Sequence, residues 1–341
     1  MIKRGFKAIG LIFVFGLSLS SLYLVNLFFM KPVSIDHFLG KEFLTGLADS
    51  PESMTYVGIF DQFNWITKHN SKLSIPNPED LEADIKDAKK SLKILKKYKD
   101  NSLTDNQKIT KSIAVFDTEN NLKQLQDFPY HDYPLNQVQG AHHNIISFMS
   151  DMHPVRSYSE AKDFIKRTDL VKDVYASQLD WLKKQAAAGI YAPKFVYDHL
   201  IEQLNELINY SFEEHPLYTQ FIKKAELLDI TDAELASLDA EIKSSIKNSV
   251  TPGFIFLRDF MVSTTDNANP HHGIWSQPNG DEFYKLRIRS YTTTDYSPEK
   301  IHNIGLDEVA RISSRMKEIL VSLGYDADKT SGTLMNELNE D

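Results

Sequence analysis

The chain has 341 residues, 42% of them hydrophobic and 25% charged, so it can bury a sizeable core without disulfides or metals. It contains no cysteine, which excludes disulfide bonds, thiolate metal sites and cysteine nucleophiles. The formal net charge is -9, and beyond Lys31 there are 34 basic against 47 acidic residues. An excess of negative charge repels a phosphate backbone, so we expect no nucleic-acid partner.

The beginning of the chain has the pattern of a membrane-spanning helix. Residues 8–30 carry no charge, and as a helix they would be about 34 Å long, enough to cross a hydrocarbon core of about 30 Å. Lys3, Arg4 and Lys7 precede this segment, which favours a cytoplasmic N-terminus. We therefore expect the body to lie in the periplasm, attached to the inner membrane.

A cleaved signal peptide is the alternative for this segment. Ser18-Leu19-Ser20 places small residues at a suitable cleavage spacing, but the apolar run continues beyond them to Phe28. We therefore expect residues 1–31 to form an uncleaved anchor and residues 32–341 to form one helical domain.

The rest of the chain carries helix signals throughout. Five segments combine a capping residue with proline, acidic residues or a capping-box partner in the first turn. Gly189 is a natural end for a helix, whereas Gly305 is expected to interrupt one. The two short strand candidates, residues 254–260 and 283–290, could equally be helical, so we predict an all-α fold. The predicted helix starts are at Asn77, Thr104, Ser157, Thr231 and Ser297.

Residues 264–280 form the best-marked irregular loop, because proline, glycine and asparagine recur there. A weaker break is predicted at residues 130–134. The loop contains His271-His272, and His142-His143 is a second adjacent pair. Neighbouring side chains on a helix point about 100° apart, so an adjacent pair rarely holds one ion. The simpler interpretation of the loop pair is a local turn that packs Trp275.

No motif of a complete enzyme is present. The sequence has no His-Glu zinc motif, no Gly-x-Ser-x-Gly elbow and no glycine-rich phosphate loop. Residues 280–309, however, carry a long specific pattern: a Gly-x-x-x-Tyr segment, a Thr-Thr pair, then Ser-Pro-Glu-x-Ile-His and Gly-Leu-x-Glu-Val. This pattern closely resembles the bacterial family of unknown function called DUF885, and the likeness extends from about Asp36 to the end. The residues that carry it are Gly280, Tyr284, Thr292, Thr293, Ser297, Pro298, Glu299, Ile301, His302, Gly305, Leu306, Glu308 and Val309.

The resemblance implies a helical zinc metallopeptidase of the bacterial envelope, with helices forming a bowl around a deep groove. In such proteins the zinc motif lies in the C-terminal half, and no zinc ligand can be carried over onto this sequence. We therefore expect no cofactor in this chain, although zinc is expected for the full-length family. Three explanations are open: an early-terminated or split gene product, a fragment, or a shortened homologue reused as a binding module.

The expected function is the N-terminal, substrate-groove part of a zinc metallopeptidase, inactive alone, with a peptide substrate and a separately encoded C-terminal half as partners. The alternative is a non-catalytic, membrane-anchored binding module. Faces that the missing half would cover should be apolar and exposed. Groove candidates are the polar and aromatic residues near the irregular loop, for which surface ion pairs and packing are the competing interpretation. These candidates are His272, Tyr284, Arg287 and Arg289.

Overall fold

The computed structural model describes residue 21, residues 23–28 and residues 30–340. These residues form helices joined by turns and loops, with no β-strand among them, so the all-α prediction is confirmed. The chain divides into two compact units, the first ending at Pro278 and the second beginning at Asn279.

The first unit holds most of the helices. In its described part they are α1 (Ile35–Ala48), α2 (Pro51–Val57), α3 (Asn64–Thr67), α4 (Leu81–Leu95), α5 (Asp105–Asp127), α6 (Ala141–Ser147), α7 (Tyr158–Asp169), α8 (Val171–Ala187), α9 (Lys194–Asn209), α10 (Pro216–Ala225), α11 (Asp232–Ser245) and α12 (Thr251–Thr264). Two π-helical turns, Phe148–Met152 and Ile246–Val250, extend α6 and join α11 to α12.

The helices begin where the capping residues predict. Thr104 and Thr231 form complete capping boxes at the starts of α5 and α11, in which each hydroxyl accepts from the third backbone N–H. Ser157 caps α7 in the same way. After α8, Gly189 adopts a positive φ of 74°, which a side chain would resist. Local chemistry therefore sets these boundaries.

The core of the first unit lies where α8, α9 and α12 pack together. The fully buried rings of Tyr175 and Phe254 have centroids 5.4 Å apart. Gly253 makes this approach possible, because a Cβ there would lie 2.7 Å from a ring carbon of Tyr175. The glycine is thus required by packing, although its backbone is helical.

The second unit consists of α13 (Gly280–Thr292), α14 (Pro298–Ser322) and α15 (Ser331–Glu340). The expected interruption at Gly305 is wrong, because α14 runs through it without a break. A glycine inside a helix costs only about 1 kcal/mol, and the Ser297 cap with Pro298 in the first turn supports this helix. Both strand candidates are helical, within α12 and α13.

Of the predicted membrane segment, residues 8–30, residues 8–20, 22 and 29 lie outside the described residues. Within residue 21, residues 23–28 and residues 30–340, no helix is both long enough and apolar enough to cross a bilayer. The anchor at residues 1–31, and the boundary with a domain at 32–341, stay predictions.

Several histidines of the first unit are buried. Burial lowers the pKa of His215 from 6.5 to about 4, and desolvation likewise lowers the pKa of His142 to about 4. The Nδ1 atom of His215 accepts a hydrogen bond from the backbone N–H of Leu217 at 3.3 Å, which caps α10. Protonation of Nδ1 would remove this cap, so the neutral form is the one that the fold stabilises.

Replacement of Gly253 by alanine should lower the free energy of unfolding by about 1–3 kcal/mol, because the new methyl group displaces the buried Tyr175 ring. The matched control is Gly40→Ala in α1, where a Cβ meets nothing within 4 Å. That change should stabilise by up to about 1 kcal/mol through helix propensity. Thermal unfolding of the two full-length variants measures the difference, and a Gly253→Ala protein as stable as wild type would contradict the packing.

The folded protein should lose stability as the pH falls from about 6.5 towards 4. The pKa of His215 is lowered in the folded state, so the unfolded chain binds more protons than the folded protein in this pH window. The contribution of neutral His215 to stability is therefore complete only above the unfolded pKa of 6.5. The loss for one such histidine is about 3 kcal/mol. Chemical unfolding at several pH values measures it. His215→Asn keeps a capping side chain without titrating, so this variant should show a shallower pH dependence; an unchanged slope would contradict the assignment.

Candidate functional site

A pocket of about 290 Å³ opens in the first unit beside α8. Its volume lies at the small end of ligand sites, which suits one or two amino-acid residues rather than a large cofactor. The wall is mostly aromatic and prolyl, with a few polar groups. We call it the aromatic pocket; its lining residues are Pro76, Pro129, Tyr130, Asp132, Tyr133, Pro134, Gln178, Trp181 and Gln185.

One face of α8 supplies three of these side chains. Gln178, Trp181 and Gln185 follow one another at spacings of three and four, which places them on the same side of the helix. The ring of Trp181 meets that of Tyr130 edge to face, with centroids 5.7 Å apart. This geometry is favourable for aromatic pairs and fixes the angle of both rings.

Gln185 holds the opposite wall in place. Its buried side-chain NH₂ group donates to the backbone carbonyls of Tyr130 and Asp132, at 2.7 and 2.8 Å. Between these two residues, buried His131 lies 2.7 Å through Nε2 from the carbonyl of Pro278, which requires Nε2 to carry the proton. The turn at residues 130–132 is therefore fixed by side chains from distant parts of the sequence.

Tyr133 is also fixed, and it stays uncharged. Its hydroxyl accepts a hydrogen bond from Gln277 and lies 3.4 Å from the carbonyl of Tyr191. Burial raises the pKa of Tyr133 to about 12, so the phenol is neutral at any physiological pH. The residue presents a ring and a hydroxyl to the pocket without acid–base chemistry.

Two polar groups of the aromatic pocket have no partner. Gln178 is 8% exposed as a whole residue, and its carboxamide, which is not among the fully buried polar groups, makes no hydrogen bond to any described residue. The indole N–H of Trp181 is likewise unpaired within the described part of the chain. A carboxamide offers a donor and an acceptor side by side, which matches the two hydrogen-bonding groups of a peptide bond. The site can therefore hold an apolar ring and pair an amide next to it.

The irregular loop is ordered by its own contacts. The backbone of Asn269 exchanges hydrogen bonds with Ala192 and Lys194, both at 2.9 Å. His271 stacks on Trp275 with centroids 5.1 Å apart, whereas His272 meets Phe195 edge to face at 4.9 Å. The two imidazoles thus pack on different rings, as the local-turn interpretation of this pair predicts.

The other groove candidates lie on α13 in the second unit. Arg287 donates to the hydroxyl of Tyr291 at 2.8 Å, and Arg289 donates to Asp295 at 3.0 Å. Tyr284 is 46% exposed. A groove role for these three residues and for His272 stays a prediction.

Sequence reasoning missed the aromatic pocket. The run Pro-Tyr-His-Asp-Tyr-Pro at residues 129–134 was recognised only as a chain break, although its rings and prolines were a signal for binding. The contribution of α8 could not be read from sequence, because its stripe of Gln178, Trp181 and Gln185 has the spacing of any helix face.

The zinc implied by the family resemblance has no ligand set among the described residues. No three His, Asp or Glu side chains there come together in a way that could hold a metal ion. In the pair His142-His143 the first residue is fully buried and the two ring centroids lie 4.2 Å apart, so the two imidazoles pack against each other. The described residues therefore do not fit a zinc site.

Comparison with known proteins places this fold. A family model described as "Bacterial protein of unknown function (DUF885)" matches residues 51–341. No curated protein matches the chain. Among solved structures the chain is similar to "the putative lipoprotein from Colwellia psychrerythraea", with a TM-score of 0.74 and 24% identity. The match covers 86% of this chain and 53% of the other, so the chain spans about half the length of that protein. At this identity the likeness shows the fold alone.

The two buried glutamines of the aromatic pocket should respond differently to the same change. Gln185→Leu should lower the free energy of unfolding by about 1–3 kcal/mol, because it leaves the carbonyls of Tyr130 and Asp132 without their donor. Gln178→Leu should change the free energy of unfolding by no more than about 0.5 kcal/mol, since that carboxamide makes no hydrogen bond to a described residue and is not a fully buried group. Chemical unfolding of both variants measures the contrast. Equal losses in the two variants would contradict the hydrogen-bond assignment.

Proposed function

Because the chain belongs to DUF885, a bacterial protein family of unknown function, we propose that it is an envelope protein whose first unit binds peptide segments. The envelope location is supported by the uncharged segment at residues 8–30, by the basic residues before it, and by the similarity to a protein described as a "putative lipoprotein". Residues 1–31 would tether the body to the inner membrane.

The aromatic pocket is the observation that carries this proposal. Rings and prolines form its wall, and proline-rich or aromatic peptides dock into grooves of this composition. Gln178 is the polar element, since its carboxamide can donate to a peptide carbonyl and accept from the neighbouring N–H. The Gln178 carboxamide can pair with such a ligand without breaking a hydrogen bond to another described residue.

The peptidase part of the proposal comes from the family resemblance. We propose that the described helices supply the substrate-groove part of a zinc-metallopeptidase-like architecture and that zinc is held by residues outside the described part. A chain that spans about half of the matched structure is consistent with this arrangement. The alternative is a non-catalytic binding module; the aromatic pocket serves either one, because both must hold a peptide.

The second unit supports a partner for this chain. Of the 25 residues of α14, only Leu320 is buried. Apolar residues recur along one side of the helix at alternating spacings of four and three, the spacing at which two helices interlock. We propose that a helical segment outside residues 21–340, from a separately encoded C-terminal half, covers this face. The residues of the face are Val309, Ile312, Met316, Ile319 and, at the C-cap, Leu323; all but Met316 are at least 45% exposed.

Peptide binding is tested with the full chain in detergent. A blocked peptide that carries a Pro-Phe pair should bind more tightly than its all-alanine counterpart, as measured by calorimetry. Trp181→Ala and Gln178→Leu should each raise the Kd at least about tenfold, equivalent to about 1.4 kcal/mol, because they remove a wall and the amide partner. Trp275→Ala is the matched control, since this exposed tryptophan lies outside the pocket. Equal affinity for both peptides, or no effect of the pocket variants, would contradict the proposal.

The peptidase part has its own readout in the same samples. Bound zinc and peptide hydrolysis are measured for the chain alone and after addition of the C-terminal half of a family member. Zinc and hydrolysis only after addition support the groove-part proposal. Peptide binding without zinc or hydrolysis in either sample favours the non-catalytic module. Stoichiometric zinc on the chain alone would show that the zinc site has been placed wrongly.

A further inference from the structure

The segment from Tyr56 to Ile66 exposes an unusual number of large apolar side chains. Trp65 is 76% exposed and Tyr56 is 70% exposed. Single exposed apolar residues are ordinary, but a continuous set of this size marks an interaction surface. We call this set the aromatic ledge; its residues are Tyr56, Val57, Ile59, Phe63, Trp65 and Ile66.

Two polar residues of the same segment, Asp61 and Asn64, bind other parts of the protein, whereas Gln62 is exposed. Asp61 binds Arg156 at 2.8 Å, and its second carboxylate oxygen lies 3.5 Å from Nε2 of buried His69. Asn64 donates to Asp163 of α7 at 2.9 Å and accepts from the backbone N–H of Asn70 at 3.1 Å. Apolar side chains usually lie inside a protein and polar ones outside. Here the contacts of Asp61 and Asn64 lie on the protein side of the segment, and its large apolar side chains are exposed.

The layer under the ledge is rigid. The fully buried guanidinium of Arg167 donates to the carbonyls of Lys72 and His69, at 2.6 and 2.5 Å, and to the hydroxyl of Thr55 at 3.0 Å. That hydroxyl in turn donates to the side-chain oxygen of buried Asn70 at 2.7 Å. The chain on either side of the ledge is therefore hydrogen-bonded to Arg167 of α7.

The composition and the charges of the ledge fit a lipid surface. Trp and Tyr favour the headgroup level of a bilayer, and isoleucine and phenylalanine insert below it. The only charge within the segment is Asp61, which forms an ion pair with the exposed side chain of Arg156. Exposed Lys68 and Lys72 follow the ledge, where they can meet anionic headgroups.

The apolar surface also continues towards the start of the chain. Phe43 and Leu44 of α1 are exposed, as are Tyr23 and Phe28. Tyr23 and Phe28 belong to the uncharged segment at residues 8–30. We propose that the aromatic ledge lies in the headgroup region of the bilayer that holds this segment, so that the first unit rests on the membrane surface in one orientation. This inference rests on the membrane tether of the proposed function.

Depth-dependent quenching tests the ledge in the full chain. Three tryptophans occur in the sequence, so single-tryptophan variants isolate Trp65 (by Trp181→Phe with Trp275→Phe) and Trp275 (by Trp65→Phe with Trp181→Phe). Trp275 is the matched control, because it is 61% exposed in the same unit but outside the ledge. Each variant is reconstituted in phosphatidylcholine–phosphatidylglycerol vesicles with and without brominated acyl chains.

Brominated lipid should reduce Trp65 fluorescence at least about twofold and leave Trp275 unchanged, since only a ring at the acyl boundary meets the bromine atoms. If the protein floats with the vesicles but Trp65 is not quenched more than Trp275, the ledge proposal is overturned while the tether stands; the ledge then serves a protein partner. If the protein does not float with the vesicles, the tether fails, and the ledge proposal fails with it.

Discussion

A buried guanidinium connects the two surfaces of the first unit. Arg167 lies inside α7 without solvent exposure, and its hydrogen bonds end on the segment from Thr55 to Lys72. Burial lowers the pKa of Arg167 to about 10, which still leaves it charged at physiological pH. A buried charge is costly unless its donors are paired, and Nη1 of Arg167 has no partner among the described residues, so the hydrogen bonds of Nε and Nη2 to this segment are the ones that stabilise it. The aromatic ledge is part of that segment.

The segment that Arg167 binds also leads directly into one wall of the aromatic pocket. Lys72, which Arg167 binds, is followed closely by Pro76, one wall of the pocket, and the carbonyl of Pro76 accepts a hydrogen bond from Ser177 of α8. Gln178, the next residue, carries the unpaired carboxamide. The chain between α2 and α4 thus contributes to both surfaces, and its position is set by contacts with α7 and α8. A substitution at Arg167 would disturb both surfaces at once, although it lines neither of them.

The sequence was informative where structure depends on neighbours along the chain. Capping residues such as Thr104 and Thr231 act within three residues, so the helix starts could be predicted. Gly305 was misjudged because its local cost is small compared with what the rest of a 25-residue helix contributes. The aromatic pocket and the contacts of Asp61 and Asn64 join residues that are far apart in the sequence. Rules based on the spacing of neighbouring residues could not predict them. His271 and His272 pack on separate aromatic rings, a contact that their adjacency in the sequence does not indicate.

The unpaired carboxamide of Gln178 has a practical consequence. The amide makes no hydrogen bond to a described residue, so a ligand can pair it without breaking a contact of the folded protein while it also covers the apolar wall. Anything that binds only the folded state raises the melting temperature in proportion to the logarithm of its concentration over its Kd. Screening of a chemical library by thermal shift, with Gln178→Leu run in parallel, would therefore find natural occupants of the pocket before any activity is known. Compounds that stabilise the parent but not the variant are those that use this amide.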